Sequence, residues 1–349
     1  MLTNYYYNTL SPDEKKIYTL INNSLWNREN ECRIEQSNWS REDITKIWRA
    51  VVFDHPDMIY YPGLFRNPIF ANGSILLRFL YCNVDQDSYN NLLNRLVCEI
   101  EQHLPSNASD YLVCKTIYDR IASMVSHYDA KSLQDYLSLE ASNPSRNSVM
   151  SFMTDHSIAF SPYGIITKSK GECHGISKLY MLLCGKFGVP CTCVEAKTND
   201  ENEYPHMLNV VEIAGKRAFV DVSYGLKIGI ENLPLIRYDY FLVTTQMLSN
   251  AYRVDIDFDC NDGTLNYYVK NGVWFRWFRN MREYLCSYVA SFTQGEVRCY
   301  YGGDELAEKE LGKAFSEILE AHCSEGYRLK SYYVKNGFCI GFISKDEEE

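Results

Sequence analysis

The chain has 349 residues, 46% of them hydrophobic, and a formal charge of −10. That length predicts two or three domains with a sizeable core, and the acidic balance argues against a nucleic-acid binder, which needs a basic face to displace counterions. No segment approaches the roughly 18 uninterrupted apolar residues of a membrane span.

The N-terminal stretch Met1–Tyr7 has no basic flank and no long apolar run, unlike a signal peptide. A chain whose leader had been removed would look the same. Thirteen cysteines are scattered without a framework of spacings, which predicts reduced thiols packed as small hydrophobes. Together these features predict a cytoplasmic protein.

Ser11-Pro12-Asp13-Glu14 is a capping box with proline at the first helical position. Ile17, Leu20 and Ile21 follow at helical spacing. Ser40 opens a second helix with Ile44, Ile47, Trp48, Val51 and Val52 on one face, and Pro56 ends it. Tyr60-Tyr61-Pro62-Gly63 reads as a turn, with short strands as far as Tyr81. Ser88 opens a helix carrying Leu92, Leu96 and Ile100. Residues 1–108 thus read as a mainly helical region, closed after Pro105.

A central unit, residues 109–250, begins at Ser109 with a helix through Leu112, Val113, Ile117, Ile121 and Met124, ending near His127-Tyr128-Asp129. A polar stretch with Asn143-Pro144-Ser145 as its loop comes next. The helix opened by Cys173 carries the stripe Ile176, Leu179, Tyr180, Leu183 and Phe187, and Gly188 terminates it. Strands are expected at Cys191–Glu195, His206–Ile213 and Arg217–Val222, the last two joined through Ala214-Gly215-Lys216. Residues 251–349 read as an α+β unit. Asn271-Gly272 signals a hairpin between Tyr267-Tyr268-Val269 and Val273-Trp274-Phe275. A helix near Met281–Phe292, a strand near Val297–Tyr301, a helix from Asp304 to His322 and a hairpin at Asn336-Gly337 complete it, before the frayed tail Asp346–Glu349. The chain as a whole reads as α+β.

The chemistry gathers at Gly171-Glu172-Cys173-His174-Gly175. A free thiol, with a pKa of about 8.5, is mostly protonated at neutral pH. A helix N-terminus favours the thiolate through its oriented N–H groups. A neighbouring imidazolium favours it further, and a carboxylate on the other ring nitrogen fixes the imidazole. His206 and Asp221, on the paired strands downstream, can supply both. Side chains alternate along a strand, so His206, Leu208 and Val210 share a face. A two-residue turn at Gly215-Lys216 sets Asp221 on that face opposite Val210, whereas a three-residue loop flips it away unless a bulge restores it. Taken singly, each residue has a plain structural reading. The helix start and the hairpin together make them a catalytic set.

Lys170–Gly188 resembles the nucleophile segment of the transglutaminase-like superfamily, in which a cysteine opens a helix after a glycine-containing loop. Pro205-His206-Met207-Leu208-Asn209-Val210-Val211 resembles its histidine strand, with Leu208 where an aromatic is usual. Ala218-Phe219-Val220-Asp221-Val222-Ser223 resembles its aspartate strand. Ile117–Asp129 is similar to the helix that opens the domain in bacterial members, and Tyr238–Leu242 to a segment that closes it. Asp54-His55-Pro56 is similar to the N-terminal part of bacterial relatives. The match covers about Ser109–Leu248. It implies a papain/transglutaminase-like core, a helix packed on an antiparallel sheet. It also implies Cys173 as nucleophile, His206 as general base and acid, and Asp221 as the orienting carboxylate. His174 departs from the pattern and is open to a reading as a competing titrating group, although a surface position is the preferred one. Adjacent helical residues point about 100° apart, which predicts a surface position in the first turn.

The Cys173 N–H is a natural first oxyanion donor. Tyr128 and Tyr163 are candidates for the second, a weak signal in a chain with 28 tyrosines. Cys191-Thr192-Cys193 has one intervening residue and no second pair, so core packing accounts for it better than zinc. His55 and His156 show no metal-ligand spacing. The carboxylates from Asp255 to Asp262 lack the terminal Glu of a calcium loop. No cofactor and no metal are expected.

The composite expectation is cysteine-dependent acyl transfer on a peptide or protein amide. Hydrolysis by a protease or amidase is slightly preferred over transamidation. The alternative is a catalytically silent scaffold that binds a partner protein through its flanking regions. A deglycosylating amidase is disfavoured, because the chain lacks a Cys-x-x-Cys zinc pair.

Overall fold

A computed structural model describes residues 2, 4–35, 39–63, 65–71, 73–127, 158–201, 203–226, 228–230, 233–291 and 294–345. The fold is α+β. The short helix α1 (Tyr5–Thr9) leads into α2 (Pro12–Trp26). Its expected capping box is present: the Glu14 N–H donates to Ser11 Oγ at 3.4 Å and the Ser11 N–H to Glu14 Oε2 at 2.7 Å. The helix α3 (Arg41–Asp54) opens the same way, on Ser40 and Asp43, and buries Ile44, Ile47 and Val51. Short strands accompany these helices, one of them, at Glu31–Ile34, ahead of the stretch where strands were expected. The strands β1 (Glu31–Ile34), β2 (Phe65–Ala71) and β3 (Ser74–Phe79) form an antiparallel sheet in the order β1-β3-β2. The helix α4 (Gln86–Gln102) starts earlier than expected, because Asp85 rather than Ser88 is the cap: its carboxylate accepts the Ser88 N–H at 3.0 Å.

Ser109 caps α5 (Asp110–Met124) as expected. Strand β4 (Ser126–His127) pairs in parallel with β5 (Lys170–Gly171), which follows α6 (Pro162–Lys168). The helix α7 (Cys173–Lys186) buries Ile176, Leu179, Tyr180, Leu183 and Cys184, each of the larger side chains contributing about 1.5–3 kcal/mol by leaving water. Its sheet is antiparallel: β6 (Cys191–Thr198), β7 (Pro205–Ile213) and β8 (Lys216–Val220), flanked, after β9 (Ile228–Ile230) and β10 (Leu233–Leu235), by β11 (Phe241–Val243) and β12 (Tyr252–Arg253), in the order β11-β8-β7-β6-β12. The last strand lies past residue 250, so this sheet outruns the boundary expected for the central unit. One face of α7 packs on β6 and β7 and another on α5. Cys191 and Cys193 are buried on β6 as packing residues, and all thirteen cysteines are free thiols.

The C-terminal unit departs from its reading at one point. After α8 (Thr245–Leu248), Tyr267–Lys270 is a helical turn, α9, and not the first arm of a hairpin. The cause is Asn266: fully buried, its Oδ1 accepts the Tyr268 and Val269 N–H groups at 3.0 and 3.4 Å. Gly272, at φ +69°, ends the turn. Strand β13 (Trp274–Phe275) instead pairs in parallel with β14 (Gly295–Tyr301), after α10 (Phe278–Ala290). Helix α11 is Glu308–His322, capped at Ala307 rather than Asp304. The final hairpin turns at Asn336-Gly337 between β15 (Tyr327–Lys335) and β16 (Phe338–Lys345), giving a sheet ordered β13-β14-β16-β15. Among the described residues no helix is long and apolar enough to cross a membrane.

Removing the buried cap with Asn266→Ala leaves the first N–H groups of α9 without an acceptor. We expect a loss of about 1–2 kcal/mol, read as a lower urea midpoint at constant slope.

Candidate active site

The β7–β8 hairpin decides where the carboxylate falls. Its turn is Ala214-Gly215, one residue earlier than expected, with both residues at positive φ (51° and 76°) and Ile213 paired with Lys216. Such a primed two-residue turn matches the twist of the strands it joins. The ladder runs as far as Asn209 opposite Val220. One step further sets Asp221 against Leu208, on the His206 face and nearer to His206 than the expected register. His206 Nε2 lies 2.8 Å from Asp221 Oδ2.

Asp221 is 1% exposed and fully engaged. Its Oδ1 accepts Ser223 Oγ at 2.8 Å and the Tyr224 N–H at 3.0 Å, and its own N–H donates to the Tyr240 carbonyl at 2.9 Å. Burial alone raises its pKa. The His206 charge and hydrogen bond, with Ser223 and Tyr224, outweigh burial and hold it below the usual carboxylate value. His206 shows the converse. Burial lowers its pKa, but Asp221 and the Cys173 thiol push it up to about 10. The His206 ring stacks on Tyr252 from β12, with centroids 4.7 Å apart and planes within 3°.

Cys173 is the first residue of α7 and half-buried. Burial raises the thiol's pKa. The hydrogen bonds and charge of His174 and His206 overturn that and hold it well below the usual thiol value. No acidic residue lies in the first turn of α7, so the oriented N–H groups there favour the thiolate, with the Glu172 carboxyl at the N-cap acting against it. Glu172, the preceding residue, is pushed up to about 7 by burial and by the neighbouring thiolate.

Two devices hold this helix start in place. Ser177 Oγ donates to the Met207 carbonyl at 3.0 Å, and Asn209 Nδ2 donates to the Ser177 carbonyl at 3.0 Å. These bonds tie the second turn of α7 to the histidine strand. Gly175 lets the 3-10 turn Ile158–Phe160 close on the helix, because a Cβ there would meet the Ala159 carbonyl oxygen at 2.5 Å. The Glu172 N–H donates to that same oxygen at 3.0 Å.

Cys173, His206 and Asp221, expected from sequence as one set, are therefore brought together. His174 is not the surface residue expected of it: it is half-buried, with Nδ1 3.5 Å from Cys173 Sγ. The Tyr163 hydroxyl is engaged elsewhere, accepting the Asp85 N–H at 3.3 Å, and its ring packs on Tyr89. Tyr128 and Asp129 lie outside the described residues, as do Asn143-Pro144-Ser145, His156 and Asp346–Glu349. In the acidic stretch, Asp257 accepts the Asp259 N–H and Asp262 pairs with Lys216 at 2.8 Å. Tyr252 was missed, and only the pairing of β12 with β6 brings it to His206. Asn209 and Ser177 were missed as a clamp, although Asn209 stands inside the quoted histidine strand. A cavity of about 900 Å³ lies elsewhere, bounded by Met247, Trp274, Tyr300 and Asn336. Shifted titratable groups, Glu172, His206 and Asp221, gather instead at the Cys173 thiol.

No family model and no curated protein matches the chain. Among solved structures it is similar to a TGase, at 14% identity and a TM-score of 0.31, over 52% of this chain and 49% of that one. It is also similar to a candidate cysteine protease from Cytophaga hutchinsonii, at 14% identity and a TM-score of 0.26, over 48% of this chain and 59% of that one. The chain thus spans about half the length of these structures.

Two measurements probe the site's construction. Asp221→Asn removes the charge that favours the imidazolium, so the His206 ring should titrate well below about 10 and toward its ordinary 6.5, followed by NMR of the ring protons. An unchanged titration would break the link between them. Gly175→Ala should cost about 1–3 kcal/mol of stability, because the obstructing atom is backbone oxygen and cannot swing aside.

Proposed function

We propose that this protein is a cysteine-dependent acyl transferase built on a transglutaminase-like core. Cys173 is its nucleophile, His206 its general base and acid, and Asp221 its orienting carboxylate. The supporting observation is the 2.8 Å His206–Asp221 bond, made on the face of β7 opposite the one that the Cys173 helix covers, with the same imidazole hydrogen-bonded to the Cys173 thiol at the helix start. Its Nε2 faces the carboxylate, which leaves Nδ1 for the thiol.

In this reading the Cys173 S–H proton passes to His206 Nδ1. The thiolate attacks the carbonyl carbon of a peptide or protein amide, and the C=O electron pair moves onto oxygen. Collapse breaks the C–N bond as His206 returns the proton to the departing amine, leaving a thioester on Sγ. Water then attacks the thioester, giving its proton to His206, and the acid leaves as the thiol is restored. An amine in place of water gives transamidation through the same intermediate. Hydrolysis is the outcome we favour. The catalytic unit comprises residues 109–250 extended through β12, with residues 1–108 and the rest of the C-terminal region as flanking units that bind partners.

The test is alkylation of the native protein with iodoacetamide, read peptide by peptide by mass spectrometry. Cys173 should label well ahead of the other twelve thiols near neutral pH. Equal labelling would sink the enzyme reading in favour of a silent scaffold. With a casein substrate, turnover should vanish in Cys173→Ala, and release of acid without incorporation of an added amine would mark water as acceptor. The pH profile should be bell-shaped. Below the depressed thiol pKa the nucleophile is protonated and rate falls. Above about 10 His206 loses the proton that the leaving amine needs, and rate falls again.

A further inference from the structure

Cys173 Sγ has a second imidazole beside it. His174 Nδ1 lies 3.5 Å from the sulfur, within hydrogen-bond range for a sulfur acceptor. The position is built. The His174 ring meets Phe160 edge to face, with centroids 5.6 Å apart at 68°. Phe160 belongs to the 3-10 turn that Gly175 admits and that the Glu172 N–H fastens at 3.0 Å. The turn therefore packs against the ring. Among the described residues, the titratable groups tied to this ring are Glu172, the N-cap of its helix, and Cys173; His206 from β7, with Asp221 behind it, meets the same sulfur. The facing residue of the turn, Phe160, is uncharged.

We propose that His174 is a second catalytic imidazole, donating from Nδ1 to the Cys173 thiolate so that the sulfur stays ionised independently of the proton His206 carries. The inference rests on Cys173 acting as the nucleophile. It divides two tasks that one histidine would otherwise have to combine. Once His206 has given its proton to the departing amine, the sulfur is held in the thioester; its charge returns when water expels it, while His206 is occupied with the proton from that water. A His174 with its proton on Nδ1 donates one hydrogen bond to the sulfur as that charge develops. No proton is consumed by this contact: the thiol proton travels by His206 to the leaving nitrogen, and His174 keeps its own throughout.

The experiment is iodoacetamide alkylation of Cys173 across pH, in the wild type and in His174→Leu, His174→Asn, His206→Ala and the double variant His174→Leu/His206→Ala. Asn places an amide N–H close to where Nδ1 lies, so it restores the donor without a titrating ring. Leu removes the donor at similar bulk. The labelling midpoint should rise in His174→Leu, slowing the rate on the acid side by about tenfold for every pH unit that the midpoint moves, and His174→Asn should recover most of it. His206→Ala should keep a thiol more acidic than an ordinary cysteine, and the double variant should lose that advantage. A His174→Leu profile that superimposes on the wild type overturns the inference while leaving the nucleophile in place. A wild-type midpoint no lower than that of an ordinary thiol overturns the nucleophile itself. Thermal melts of each variant separate these outcomes from misfolding, and the Asn variant gives a folded comparison if Leu does not fold.

Discussion

The carboxylate of Asp221 is taken almost wholly out of water, and the rest of the site follows from that. A buried anion is tolerable only with donors on its oxygens and a cation beside it. Ser223 and Tyr224 fill one oxygen, and the other falls to His206. The carboxylate's need for a positive partner keeps the imidazole protonated, and the protonated imidazole in turn favours a thiolate at Cys173. Three pKa shifts that look separate are one charge arrangement, anchored at its most buried member.

Much of this was legible from residue types. The capping boxes at Ser11 and Ser40, the Ser109 cap and the strand alternation around His206 are short-range signals, and the structure carries them. Cys173, His206 and Asp221 were legible as a candidate set from the helix start and the strand pattern, but the register that brings Asp221 to His206 was not, because the turn falls at Ala214-Gly215. The failures are also physical. Asn271-Gly272 serves hairpins and helix ends equally, and a buried asparagine five residues upstream chose between them. The expectation for His174 used only the angular spacing of a helix. It could not see the 3-10 turn whose Phe160 packs on the ring, or the sulfur 3.5 Å from Nδ1. Tyr252 had no local signal, because its neighbour is set by a strand pairing across more than forty residues of chain.

The flanking regions reach the site through aromatic and guanidinium packing rather than by adding reactive groups. Arg237, almost fully buried, lies 3.8 Å from the Tyr224 ring centroid and 5.4 Å from that of Tyr333 on β15. Tyr224 is the residue whose N–H holds Asp221 Oδ1. On the other side, the Tyr6 hydroxyl donates to the Cys193 carbonyl on β6 at 2.8 Å, and the Tyr6 and Tyr7 N–H groups are held by Asp54. The outer parts of the chain thus brace the strands and the loop that carry the charge arrangement.

The two-residue turn at Ala214-Gly215 imposes a parity rule on this hairpin. Adding or deleting a single residue in a strand while the turn stays two residues long would rotate every later position of β8 to the opposite face and carry Asp221 away from His206. Paired insertions would preserve the face while sliding the carboxylate along it. An odd change in length is therefore tolerated only where the loop absorbs it or a bulge restores the phase.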